Sequence, residues 1–141
     1  MGKVIVKDVL LKNHRDEILF EEGHLAKEQV RKVSLDMVAD TGAVAVSLPV
    51  SVVEQLGLRY VKSVQVTVST GDRVPVKMYG DLMVHIGGRE AYTQCLAKPE
   101  GAPLILGQLV FEQIDYVVDC KNQRIVPNPE ETEGMLLFDD F

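Results

Sequence analysis

Apolar and polar residues alternate through most of this chain in short runs, and a period of two is the mark of half-buried strands. Lys3–Leu11, rich in Val, Ile and Leu, predicts a first strand, and Asn13-His14-Arg15-Asp16 reads as a turn leading to a return strand at Glu17–Glu22. Gly23–Gln29 is polar and fits a loop or a helical turn. In Arg31–Ala39 the alternation of Val33, Leu35 and Met37 predicts a strand that delivers Asp40, and Ala43–Leu48 is apolar enough for a buried strand. Pro49 presets the first turn of a short helix over Val50–Leu56, with Gly57 placed to cap its C-terminus.

Further on, Val64, Val66 and Val68 alternate before Ser69-Thr70-Gly71-Asp72-Arg73, and Val74, Val76 and Met78 alternate after it, which predicts a hairpin. Leu82, Val84 and Ile86 lead to a tight turn at Gly87-Gly88, from which Glu90–Ala97 returns. Leu104-Ile105-Leu106-Gly107 is a short apolar strand ended by glycine, and Gln108–Ile114 spaces Leu109, Val110, Phe111 and Ile114 as a helix would. Tyr116–Asp119 and Arg124–Val126 form a last hairpin around Cys120–Gln123. The expected fold is mainly β, a meander whose edges need pairing or closing, with one or two short helices.

The 141 residues suit one domain over 1–128, followed by an acidic tail, 129–141, whose composition predicts flexibility. The net charge is −6, and the tail holds five of the twenty-one acidic residues and none of the fifteen basic ones. The body is therefore close to neutral, with no basic stripe to track phosphates, and nucleic-acid binding is not expected. Met135-Leu136-Leu137-Phe138 is the apolar part of the tail and could dock elsewhere. The opening residues Met1–Lys7 lack the apolar run of a signal peptide and no segment is long enough to span a membrane, which predicts a cytoplasmic protein. Cys95 and Cys120 suit a reducing compartment, no metal or other cofactor is expected, and His14, His24 and His85 read as surface residues.

The chemistry concentrates in Val38-Ala39-Asp40-Thr41-Gly42-Ala43. A lone carboxylate at the end of a buried strand costs desolvation energy unless it is partnered. One suitable partner is a second carboxylate sharing a single proton, the acid/base pair of aspartic proteases. The tripeptide Asp-Thr-Gly occurs once, so it supplies half of such a site. The plainer alternative is a turn between strands, where Asp and Gly are common for conformational reasons.

Taken in order, these pieces resemble the retropepsin-like aspartic proteases. Asp40-Thr41-Gly42-Ala43 matches the catalytic turn, Ser47-Leu48-Pro49 before Val50–Gly57 is similar to the Leu-Pro and short helix of cellular and prokaryotic members, and Val68–Pro75 falls where the family keeps its flap. Leu104-Ile105-Leu106-Gly107 with the helix after it resembles the second signature. The resemblance implies a closed β-barrel active as a two-fold homodimer, with Asp40 catalytic and Thr41 and Gly42 supporting the turn. It also implies peptide or protein substrate contacts at Gly42, Ala43, Ser69, Thr70, Gly71, Asp72, Leu106 and Gly107, and hydrophobic side chains at the cut. Lys3–Leu11 and Arg124–Val126 are candidates for strands shared between subunits. Val44 and Gln108 stand where viral members usually carry an Asp–Arg ion pair, so both partners are missing together. The competing expectation is a catalytically idle peptide-binding or dimerisation module of the same fold.

Overall fold

The computed structural model describes residues 3–129, and the expected flexibility and docking of the tail lie outside them, Pro129 excepted. The elements run β1 (Val4–Asn13), α1 (His14–Glu21), a 3-10 turn (Lys27–Gln29), β2 (Lys32–Ala39), β3 (Val46–Pro49), α2 (Val50–Gln55), β4 (Arg59–Thr67), β5 (Arg73–Ile86), β6 (Arg89–Lys98), β7 (Ile105–Leu106), α3 (Gln108–Ile114), β8 (Tyr116–Asp119) and β9 (Arg124–Pro127).

Seven strands form one sheet in the order β1-β2-β7-β3-β6-β5-β4, and an extra pairing of β1 with β5 ties it back on itself. The result is a ring-like sheet from whose β5 side β4 projects. β1 makes this closure by pairing with β2 from Val4↔Ala39 to Lys12↔Lys32 and with β5 from Leu10↔His85 to Asn13↔Leu82. Its register shifts between Val6 and Val9 around Asp8, a non-glycine residue at φ 54°. Asp36 across the strand holds that bulge, accepting the Asp8 N–H at 3.0 Å and pairing with Lys7 at 3.2 Å. The Asp8 N–H is also the main reason the Asp36 carboxyl titrates below its usual range.

The core inside the ring is aliphatic. Val9, Leu11, Met37, Leu48, Leu56, Leu82, Val84 and Leu106 are buried, and α3 closes one side with Val110, Phe111 and Ile114. α2 begins after Pro49, and Gly57 follows its last turn at φ +62°, as its sequence predicts. Glu100 caps the start of α2 by accepting from the Ser51 N–H at 2.9 Å and from the Ser51 hydroxyl at 2.6 Å.

Several expectations change. Glu17–Glu22 is not a return strand: α1 occupies His14–Glu21, so the described residues hold three α-helices rather than one or two. The side chain of Asn13 accepts the Asp16 N–H at 3.0 Å as an N-cap, and the acidic Asp16 and Glu17 suit a first helical turn. Regular pairing after the Asp40 loop starts only at Val46, not Ala43, because the intervening backbone bonds to α3 instead. The strands expected around Val74–Met78 and Leu82–Ile86 are one strand, β5, whose pairing shifts between Tyr79 and Leu82. His85 is half-buried rather than on the surface, and burial lowers its pKa from the ordinary value. Lys3–Leu11 and Arg124–Val126, expected as strands shared between subunits, find partners in their own chain, β1 with β2 and β5 and β9 with β8. Among the described residues no helix is long and apolar enough to cross a membrane.

Candidate active site

The Asp40 loop is shaped by a strand only two residues long. β7 pairs in parallel with β2 (Val38↔Ile105, Ala39↔Leu106) and in antiparallel with β3 (Ser47↔Ile105). It therefore lies between the strand that enters the loop and the strand that leaves it, and holds the two apart. On the entry side the Val38 N–H donates to Leu104 O at 2.8 Å and the Asp40 N–H to Leu106 O at 3.0 Å. On the exit side the first N–H groups of α3 do the work, Gln108 donating to Ala43 O at 2.8 Å and Leu109 to Val44 O at 3.2 Å. These are donors that a helix N-terminus would otherwise leave unpaired.

Gly107 is the residue that permits this contact. A Cβ there would sit 2.5 Å from the carbonyl oxygens of both Val44 and Ala45, which are backbone and cannot swing aside. Leu106, next to it, is fully buried. The loop is thus clamped along its main chain from both ends while its tip stays open. Asp40 is half-buried, Thr41 and Gly42 are exposed, and Val44 is 66% exposed.

At the tip, the Gly42 N–H donates to Asp40 Oδ1 at 2.9 Å, and the Ala43 N–H donates to Asp40 O at 3.1 Å. The first bond fixes the carboxyl group against its own turn. A Cβ on Gly42 would come 3.2 Å from that same oxygen. Among the described residues the Thr41 hydroxyl makes no hydrogen bond. A cavity of about 310 Å³ opens beside the carboxyl, lined by Val4, Val38, Ala39, Thr41, Val118 and Cys120. Val118 and Cys120 come from the β8 hairpin, and only tertiary pairing brings them here.

The expected flap is the tip of the β4–β5 hairpin. Its turn is closed by the Val68 N–H donating to Asp72 O at 2.9 Å and the Gly71 N–H donating to Val68 O at 2.9 Å, with Gly71 at φ +90°. The Thr70 hydroxyl donates to Asp72 Oδ2 at 3.2 Å. Below the tip lies a largely apolar cleft of about 670 Å³, walled by Val68, Val74, Val76 and Tyr79 of the hairpin, Val50 of α2, and Ala97–Pro99, with Glu54 and Lys77 at its edge.

Asp40, Thr41, Gly42, Ala43, Leu106 and Gly107 therefore form one cluster. Ser69, Thr70, Gly71 and Asp72 form another, and the cavities beside the two share no residue. Cys95 is buried, with its thiol pushed up to about 12, and Cys120 is exposed; both are free thiols. No family model and no curated protein matches this chain.

Proposed function

We propose that this protein is a retropepsin-like aspartic endopeptidase, a small closed β-barrel that works as a two-fold homodimer. The observation that carries this reading is the Asp40 loop, in which β7 and the start of α3 fix the backbone while the carboxyl and Thr41 remain accessible. A loop that is rigid in its own chain and open at its tip suits contact with the same loop of a second copy, because a two-fold axis presents identical surfaces to each other.

In that assembly Asp40 and the partner's Asp40 share one proton, since like charges a few ångströms apart do not both ionise. The ionised carboxylate removes a proton from a water held between them, and the protonated one donates a hydrogen bond to the scissile carbonyl oxygen. Attack gives a tetrahedral intermediate, whose collapse releases the amine after proton transfer from the pair. Gly42 N–H keeps the Asp40 carboxyl oriented through these steps. The Thr41 hydroxyl, which makes no hydrogen bond among the described residues, would bond across the axis and hold both turns in register.

The substrate is an extended peptide, lying under the exposed Ser69–Asp72 tip and held by strand-like hydrogen bonds. The apolar cleft of Val50, Val74, Val76, Tyr79 and Ala97 favours hydrophobic side chains near the cut. The reaction needs no metal and no cofactor, and the protein acts in the cytoplasm. Digestion of a peptide library by wild type and by Asp40→Asn, with and without a statine-type inhibitor, tests this function. Cleavage that the inhibitor blocks and the substitution abolishes supports it; cleavage that survives Asp40→Asn, or none at all from a dimeric wild type, contradicts it.

A further inference from the structure

Away from the Asp40 loop, three arginines from three parts of the chain line one polar cavity of about 440 Å³: Arg15 in α1, Arg31 before β2, and Arg59 at the start of β4. Arg31 is held in place. Its Nε and Nη2 donate to the two oxygens of Asp16 at 2.9 and 3.0 Å, and its own N–H adds a third bond to Asp16 at 3.0 Å. Its Nη1 lies over Gly57, where a Cβ would collide with it, so the glycine leaves room for the guanidinium. That nitrogen keeps both its donors free among the described residues.

Asp16 pairs with Arg31 and also feels the charge of Arg15, but neither Arg15 nor Arg59 has a salt bridge or hydrogen bond among the described residues. Among the described residues the one other acid on the wall is the exposed Asp81, which leaves the three arginines in excess over two acids in a chain whose net charge is −6. The geometry points to a binding site for a phosphate group in this cavity. Guanidinium forks match phosphate oxygens. A tetrahedral phosphate can offer an oxygen to each of three arginines approaching from different elements, whereas a planar carboxylate serves one fork well. The cavity falls in the ~300–1,000 Å³ range of small-molecule sites, so it has room for an organic body on the phosphate. Because Arg59 begins β4, an occupant would bridge α1 to the base of the projecting hairpin.

The test is an amide NMR titration of the full chain with inorganic phosphate, with a simple alkyl phosphate monoester, and with acetate and chloride at matched ionic strength. Saturable shifts at Arg15, Arg31, Gly57 and Arg59 are expected with the two phosphates and not with acetate or chloride. Arg15→Ala and Arg59→Ala should each weaken binding roughly tenfold, the loss expected for a charge-assisted hydrogen bond, while Lys121→Ala changes nothing. Arg31 is left intact because its removal would strand the buried Asp16. Tighter binding of the monoester identifies an organic phosphate, and equal binding identifies the free ion. Shifts that acetate or chloride reproduces, or that neither arginine substitution weakens, overturn the site.

Discussion

The Asp40 loop and the β4–β5 hairpin make opposite uses of glycine. At Gly107 the missing side chain lets two backbones touch, and the loop gains hydrogen bonds from both β7 and α3. At Gly71 the missing side chain permits a positive φ in open space, with nothing within 4 Å of where a Cβ would stand. One region is packed into the ring-like sheet; the other hangs from a single neighbour, with β4 exposed along most of its length. The pairing suits a site in which the reacting group must be held still while the cover must give way.

The contrast can be broken at its strongest point by Leu106→Ala. Leu106 is fully buried where β7 separates β2 from β3, so truncation should cost about 3–4 kcal/mol by denaturant unfolding. A cost under about 1 kcal/mol would mean that β7 does not hold the loop. Gly107→Ala comes next, at about 2–3 kcal/mol, because the added carbon meets carbonyl oxygens at 2.5 Å.

Asp16→Asn should cost about 2 kcal/mol, and the cost should depend on pH. The Arg31 hydrogen bond, against the effect of burial, holds the Asp16 carboxyl below its usual range. The unfolded chain thus binds this proton more readily, and the stabilisation is present above about pH 4 and fades as pH falls through the native value. The gap between wild type and Asp16→Asn should therefore shrink in acid; a constant gap would contradict the ion-pair account. The smallest effect is expected at the hairpin. Gly71→Ala should lower stability by about 1 kcal/mol or less, the strain of one residue at positive φ. Its consequence should appear instead as slower peptide cleavage. Equal losses of stability at Gly71 and Gly107 would erase the distinction between the two regions.

What the sequence made legible follows the range of the interactions involved. The hairpin was readable because Val64, Val66, Val74 and Val76 keep strict alternation around a polar turn, and α2 because Pro49 and Gly57 mark its ends. α1 leaves no apolar stripe in the sequence, since only Asp16 among its residues is buried, and the cap at Asn13 is its local signal. The apolar run Leu104–Leu106 and its glycine were visible, but insertion between β2 and β3 is a parallel, long-range pairing that no local pattern encodes. The same holds for Val118 and Cys120 beside Asp40, and for the meeting of Arg15, Arg31 and Arg59.

The central claim, that two chains each contribute one Asp40 to a single reaction centre, is tested most directly by mixing wild type with Asp40→Asn at constant total concentration and measuring peptide cleavage. Random pairing of chains predicts that the rate follows the square of the wild-type fraction, because a mixed dimer lacks one of its two carboxyls. A rate that falls in simple proportion to the wild-type fraction would show that each chain acts alone, and would contradict the account.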